Sequence, residues 1–357
     1  MQHAMFDLEH TPGGMPPLLG EQKDIRYFGT DPRSILNSPT ATGMPFWSVN
    51  PYVGCAFGCA YCYARYAHRY VAERLSASPS ATDTVKDELR ELPPWLAFER
   101  RIFVKREAAS ILRRELKRPA RMRALLRETV VIGTATDPYQ PAERRYRITR
   151  GVLETLAEQR GLSVTIITKS PLVTRDVDVL LRIAAVSQLS VHVSLITTDR
   201  ELARRLEPRA PTPEARLRAI ARLRAHGIEV GVNVMPVLPG ITDAPHLLDS
   251  LVRSIAAANA SYLGACALRL QSAARQRYLP FIEQEFPHLA ARYRSTYARS
   301  HQVGERYRQG LREHFRALCA AHGVTFDRYY KSEEDVDDTG NRAIVETSEA
   351  AQLMLPL

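Results

Sequence analysis

From residue 129 onward the chain alternates between two apolar patterns. Short runs of β-type residues recur at 129–134, 163–168, 191–195, 228–234 and 262–268, and an earlier one spans 46–49. Between most of them, at 150–159, 173–185, 213–225 and 245–258, apolar residues return every three or four positions. That spacing lays one apolar stripe along a helix, and several of these stretches open on Pro, Thr or Asp and close near Gly. Strand and helix alternating with a repeat of roughly 30 residues predict βαβ units and a parallel sheet, either doubly wound or curled into a barrel. In both architectures chemistry gathers at the C-terminal ends of the strands.

The flanks differ. The first 45 residues are rich in Pro and Gly and carry no sustained periodicity, so they read as an arm laid over the body. A short apolar run at 102–105, followed by a strongly basic helical pattern at 106–127, reads as an insertion. The expected organisation is an arm at 1–45, a core at 46–270, a helical, aromatic and basic extension at 271–331, and an acidic, mobile tail at 332–357.

A chain of 357 residues with 45% hydrophobic and 25% charged residues can bury a large core, which excludes wholesale disorder. No run approaches the roughly 18 apolar residues of a membrane span, and the first 30 residues lack the apolar centre of a secretory signal. A cytoplasmic monomer is expected. Lys and Arg outnumber Asp and Glu by 49 to 39, and only six of the basic residues are lysines. Such an excess suits either a polyanionic partner or a solvated surface.

Three of the five cysteines fall within eight residues, in Asn50-Pro-Tyr-Val-Gly-Cys55-Ala-Phe-Gly-Cys59-Ala-Tyr-Cys62-Tyr-Ala-Arg65. Three thiolates this close can wrap a compact soft-metal centre, and Gly54 and Gly58 free the backbone to turn around it. A structural zinc site would want a fourth ligand at similar spacing, and His68 is the only nearby candidate. An iron–sulfur cluster held by three thiolates keeps one iron open. Polar residues also stand where other strands end: Thr134 to Asp137, Thr168-Lys169-Ser170, Ser194, and Asn233 with Met235.

The C-x3-C-x2-C spacing with an aromatic before the third cysteine resembles the cluster loop of the radical S-adenosylmethionine (radical SAM) enzymes. Further blocks are similar to the spore photoproduct lyase-like group, and more narrowly to an uncharacterised actinobacterial-type branch of it. These are Arg33-Ser-Ile-Leu-Asn37, the cysteine loop, Thr136-Asp-Pro-Tyr-Gln-Pro-Ala-Glu143, Thr168-Lys-Ser-Pro-Leu-Val173 with Arg175-Asp176, and Glu207-Pro208. The match runs from about residue 33 to at least 300.

The resemblance implies a partial (β/α)6 barrel of the TIM type with an N-terminal arm and a C-terminal helical extension. It implies a [4Fe-4S] cluster on Cys55, Cys59 and Cys62 whose fourth iron takes S-adenosylmethionine (SAM). An electron, from a donor such as flavodoxin or ferredoxin, then cleaves SAM to methionine and a 5′-deoxyadenosyl radical that abstracts hydrogen from the substrate. By the same resemblance Tyr61 lies against the adenine, Thr136 and Asp137 meet the methionine amine, Lys169 neutralises the carboxylate, and Ser194 adds a further contact. The alternatives are photoproduct repair or nucleic-acid modification, and a non-catalytic iron–sulfur or zinc protein.

One departure matters. Photoproduct lyases place a hydrogen-donating cysteine just before the Thr/Ser-Asp block, where this chain has Gly133, Thr134 and Ala135. Repair by that mechanism is therefore not expected. Cys266, on the last core strand, is the remaining candidate donor, set against the plainer reading of a small buried apolar residue. Between Arg100 and Arg127 eleven basic residues face two acidic ones, and arginines interleave with tyrosines from Tyr278 to Tyr307. Arg for phosphate and Tyr for bases would suit a nucleic acid or nucleotide substrate. Peptides and small molecules remain the other classes.

Overall fold

The computed structural model describes residues 18–30, 32–68 and 91–326. The first 17 residues of the arm and the acidic tail from 332 lie outside them. In chain order the strands are β1 (Leu18–Gln22), β2 (Ile25–Thr30), β3 (Leu36–Asn37), β4 (Trp47–Val49), β5 (Tyr52–Val53), β6 (Arg101–Lys105), β7 (Thr129–Ile132), β8 (Ser163–Thr168), β9 (Gln188–Ser194), β10 (Glu229–Val237), β11 (Tyr262–Ala267) and β12 (Thr325–Phe326).

Seven strands, β4, β7, β8, β9, β10, β11 and β12, run parallel in that order, and β3 pairs antiparallel with β4 at one edge. The first six are the expected core runs. Among the described residues β3 and β12 form the two edges of this sheet, as in a partial barrel. Helices fill the crossovers. Pro213–Ala225 begins where its sequence signals place it, with Pro at the first position and the Thr212 hydroxyl accepting from the Ala215 N–H.

Side-chain alternation divides the sheet into two faces. Val49, Val130, Ile132, Val164, Ile166, Val191, Val193, Val230, Val232 and Leu263 join the helices in one large core. The register puts Val131, Thr165 and Ser190 side by side on the opposite face, and one step along it Ile167, His192, Gly231 and Tyr262. A Cβ on Gly231 would fall 2.0 Å from the Tyr262 ring, so glycine is what admits that ring. Tyr262 then reaches across to His192, 2.8 Å from hydroxyl to Nε2. This buried layer closes the inner face below the strand ends.

A second sheet, in the order β1-β2-β6-β5, includes residues 18–30 of the arm. The run at 102–105, read as part of an insertion, is β6. It lies between β2 and β5 and so ties the arm to the strand just before the cysteines. The basic pattern that follows becomes two helices, Ala108–Leu116 and Pro119–Leu125, divided at Pro119. The second leads directly into β7, and Arg121 stacks 4.8 Å over Trp47, the first residue of β4. These helices therefore reach the N-terminal ends of the strands. The helix Ser272–Glu285, by contrast, brings Tyr278 and Phe281 into one apolar cluster with Phe57, Tyr61 and Phe98 around the cysteine loop. Among the described residues no helix is long and apolar enough to cross a membrane.

Candidate active site

The C-terminal strand ends and the cysteine loop enclose one cavity of about 1130 Å³, part of it continuous with solvent. Cys55, Cys59, Tyr61, Cys62, Thr136, Asp137, Lys169, Ser194 and Cys266 all stand on its wall. Residues drawn from five strand ends and 211 positions of sequence (266 − 55) thus meet at one place.

The loop is held from several sides. Gly54 and Gly58 sit at φ +87° and +66°, and a Cβ on Gly54 would come within 2.6 Å of the Phe98 carbonyl. That carbonyl accepts from the Cys55 N–H at 2.9 Å. The Gln140 amide oxygen takes the Ala56 N–H at 3.0 Å, and its NH2 donates to the Gly54 carbonyl at 3.1 Å and to Thr136 at 3.0 Å. The Thr136 hydroxyl itself donates to the Gly54 carbonyl at 2.6 Å. Thr136 thus supports the loop, with one lone pair left over. Behind the loop, buried Arg65 donates to the Cys59 carbonyl at 2.7 Å and pairs with Glu99 at 2.6 Å.

Burial pushes all three thiols up, Cys59 to about 12 and Cys55 well above its usual value. Thiols in this setting keep their protons until a metal displaces them. Among the described residues no three His, Cys, Asp or Glu side chains converge as a single-ion site. His68 does not complete one: it is fully buried beside Phe103, 5.7 Å between ring centres, and stands off the cavity wall.

Asp137 accepts three hydrogen bonds, from the Thr168 hydroxyl at 2.7 Å, the Lys169 N–H at 2.8 Å and the Tyr139 N–H at 2.9 Å. A carboxylate offers about four acceptor positions, so one remains for a group in the cavity. Burial raises its pKa even against these donors, so a cation beside it would be stabilising. Asn50 couples the same block to the cysteine strand, donating to Thr134 at 3.1 Å and accepting from the Ala135 N–H at 2.8 Å.

Tyr61 and Lys169 share an anchor that sequence reading left without a role. The Tyr61 hydroxyl donates to Glu207, and the Lys169 ammonium stands 4.0 Å from that carboxylate and 5.8 Å over the Tyr61 ring. Arg216, as buried as Glu207, pairs with its other oxygen. Burial disfavours the Glu207 charge, but Arg216 and Lys169 outweigh it and lower its pKa. For Lys169 burial is likewise outweighed, by Cys59 and Glu207, and its pKa rises. Arg216 had a signal in the sequence. It lies at helical spacing with Ala219, Ile220 and Leu223, an arginine on an otherwise apolar stripe.

Cys266 is half-buried on the wall, whereas Cys319 is packed in the large core. Ser194 lines the cavity and its carbonyl accepts from Arg216 at 3.0 Å. Apolar side chains, among them Met44, Phe46, Phe57, Phe98, Met235 and Leu268, make much of the remaining wall.

A family model of the radical SAM superfamily matches residues 49–251. Uncharacterized proteins of Mycobacterium tuberculosis and Mycobacterium bovis are each 37% identical over 297 residues, 83% of this chain and 80% of theirs. Solved structures of spore photoproduct lyase share the fold. One complexed with dinucleoside spore photoproduct covers 84% of this chain and 81% of its own at 13% identity with a TM-score of 0.54, and a mutant covers 87% and 86% at 14% with a TM-score of 0.55. The chain belongs to the radical SAM superfamily and is an enzyme of that class.

Proposed function

We propose that this enzyme binds a [4Fe-4S] cluster through Cys55, Cys59 and Cys62, binds SAM beside it, and removes a hydrogen atom from a substrate held in the same cavity. The observation that carries this reading is the joint exposure of the three thiols, Asp137 and Lys169 on one wall. When bound, the cluster and SAM supply reductive carbon–sulfur cleavage and hydrogen-atom abstraction.

The donor set fits that cofactor pair. A cluster takes its thiolates on separate irons, and three thiols on one cavity wall fit that arrangement. The cavity opens to solvent and much of its wall is apolar, which suits it to admit a substrate. Asp137 offers its remaining acceptor position to the methionine ammonium. Lys169 offers a cation to the carboxylate, and the Tyr61 ring, fixed through Glu207, offers a flat face to the adenine. Thr136 acts by holding the loop, and Ser194 adds a hydroxyl at the end of β9. Cys266 stands where a substrate radical could take back a hydrogen atom.

Anaerobic reconstitution with iron and sulfide tests the reading. A brown protein with about four irons per chain, forming 5′-deoxyadenosine from SAM with dithionite, is the expected outcome. A colourless zinc protein without cleavage would overturn it.

A nucleotide substrate has one observation in its favour, the likeness in fold to an enzyme solved with a dinucleoside photoproduct. Salt-sensitive binding of short oligonucleotides to the reconstituted protein is its test, and no binding at low salt removes it.

A further inference from the structure

Two of the sequence blocks hold charged residues that take no part in the cavity wall: Glu143, which closes the block opened by Thr136, and Arg175 with Asp176, just past Lys169. In the fold they meet. Glu143 is fully buried, and each of its oxygens takes two donors. One accepts from the Tyr52 hydroxyl and from the Thr149 N–H at 2.9 Å, the other from Arg175 at 2.8 Å and from the Arg150 N–H at 3.2 Å. Burial and the Glu143 charge raise the Tyr52 pKa well above its usual value, so that hydroxyl keeps its proton and donates. Arg175 also donates to the Glu143 carbonyl at 3.0 Å and grips Asp176 at 2.7 and 2.8 Å.

The contrast with Asp137 is chemical. Asp137 keeps one acceptor position for a ligand, whereas the four of Glu143 are all taken. Glu143 can only hold its neighbours, and those neighbours belong to the segments that build the site. Tyr52 lies on β5, three residues before Cys55. The Thr149 hydroxyl donates to the carbonyl of Pro138, the residue after Asp137. Arg175 belongs to the turn Pro171–Asp176, which leads away from Lys169. Apolar side chains of the same volume often match a buried ion pair in stability. What the pair adds is direction, because the Arg175 fork meets the Glu143 carbonyl and carboxylate together.

We infer that Glu143, through Arg175 and Tyr52, is a positioning residue that sets the spacing of Asp137, Lys169 and the cysteine loop, and so how tightly the amino-acid end of SAM is held. The inference rests on the SAM site proposed above. The amine and carboxylate of one ligand must meet Asp137 and Lys169 at once, and those two residues stand past the ends of the paired strands β7 and β8. Such a fit is lost with offsets of about 1 Å. Asp137 ties the two segments together inside the cavity by accepting from the Lys169 N–H. Glu143 fixes the same pair from behind the wall, where it meets no ligand.

The test uses the reconstituted full chain and equilibrium dialysis with three compounds. SAM and S-adenosylhomocysteine carry the amino and carboxyl groups, and 5′-methylthioadenosine lacks both. Glu143→Gln and Arg175→Gln are expected to weaken binding of the first two roughly tenfold or more. Binding of the third should stay within about twofold of the wild type, and iron content should match it. Arg175→Lys, which keeps the charge and loses the fork, should lose less than Arg175→Gln. As a control, Val252→Ala on the buried face of the helix Pro245–Ala257 should lower the urea midpoint without weakening any of the three. Unchanged SAM affinity in both Gln variants would overturn the inference. So would an equal loss with 5′-methylthioadenosine, which would mark a general disturbance of the cavity. A wild-type chain that takes up a cluster yet binds no SAM overturns the SAM site itself, a failure seen before any variant is made.

Discussion

Glu207 concentrates the electrostatics of the site in one side chain. It receives the Tyr61 hydroxyl, faces Lys169 and pairs with Arg216. Removing one member of a buried ion pair leaves the other uncompensated, so Glu207→Gln should destabilise the iron-free protein by about 3–5 kcal/mol in urea unfolding. It should also weaken SAM binding to the reconstituted protein. A loss below about 1 kcal/mol would show the pair to be dispensable. Cys266→Ala is expected to leave iron content unchanged and to lower deuterium uptake from D2O into the product formed from the substrate radical. Unchanged uptake would remove Cys266 as the donor. The grouping of Cys55, Cys59 and Cys62 on one wall was legible because a motif of eight residues holds its own spacing. The hub was not, because Tyr61 and Glu207 are separated by 146 positions and only the folded chain joins them.

At the scale of elements, strand ends and short loops carry the chemistry. Gly133, just past β7, has φ +98°, and a Cβ there would lie 2.6 Å from both the Ile167 carbonyl and the Pro138 ring. Gly133→Ala should therefore cost at least about 1–3 kcal/mol and shift the block from Thr134 to Asp137. SAM affinity should fall while the cysteines still take up iron. Equal affinity would show that the block tolerates the shift. The long parallel strands were readable to within a few residues, since apolar runs bounded by turn residues have few other uses; β8 and the helix Pro213–Ala225 match their predicted limits. The second sheet was not readable. β5 has two residues, too few for any period, and β1 and β2 turn at Lys23 with φ +56° and no glycine to mark the hairpin.

For the whole molecule, the distribution of charge matters more than its sum. The net charge of +10 suits a polyanionic partner or a solvated surface, and the basic helices Ala108–Leu116 and Pro119–Leu125 extend to the N-terminal strand ends, away from the cavity. Reversing Arg118 and Arg123 together to Glu should change SAM cleavage by less than about twofold, as expected of exposed positions. A larger loss would bring these helices into the working surface.

The packing of Tyr262 into the space left by Gly231 has a consequence for traffic. With that end of the inner face filled by Tyr262, His192, Ile167 and Val131, ligands come and go at the strand-end side. A pocket filled from one side behaves like a queue: whatever lies deepest arrives first and departs last. Turnover should then show ordered product release, read from the pattern of product inhibition.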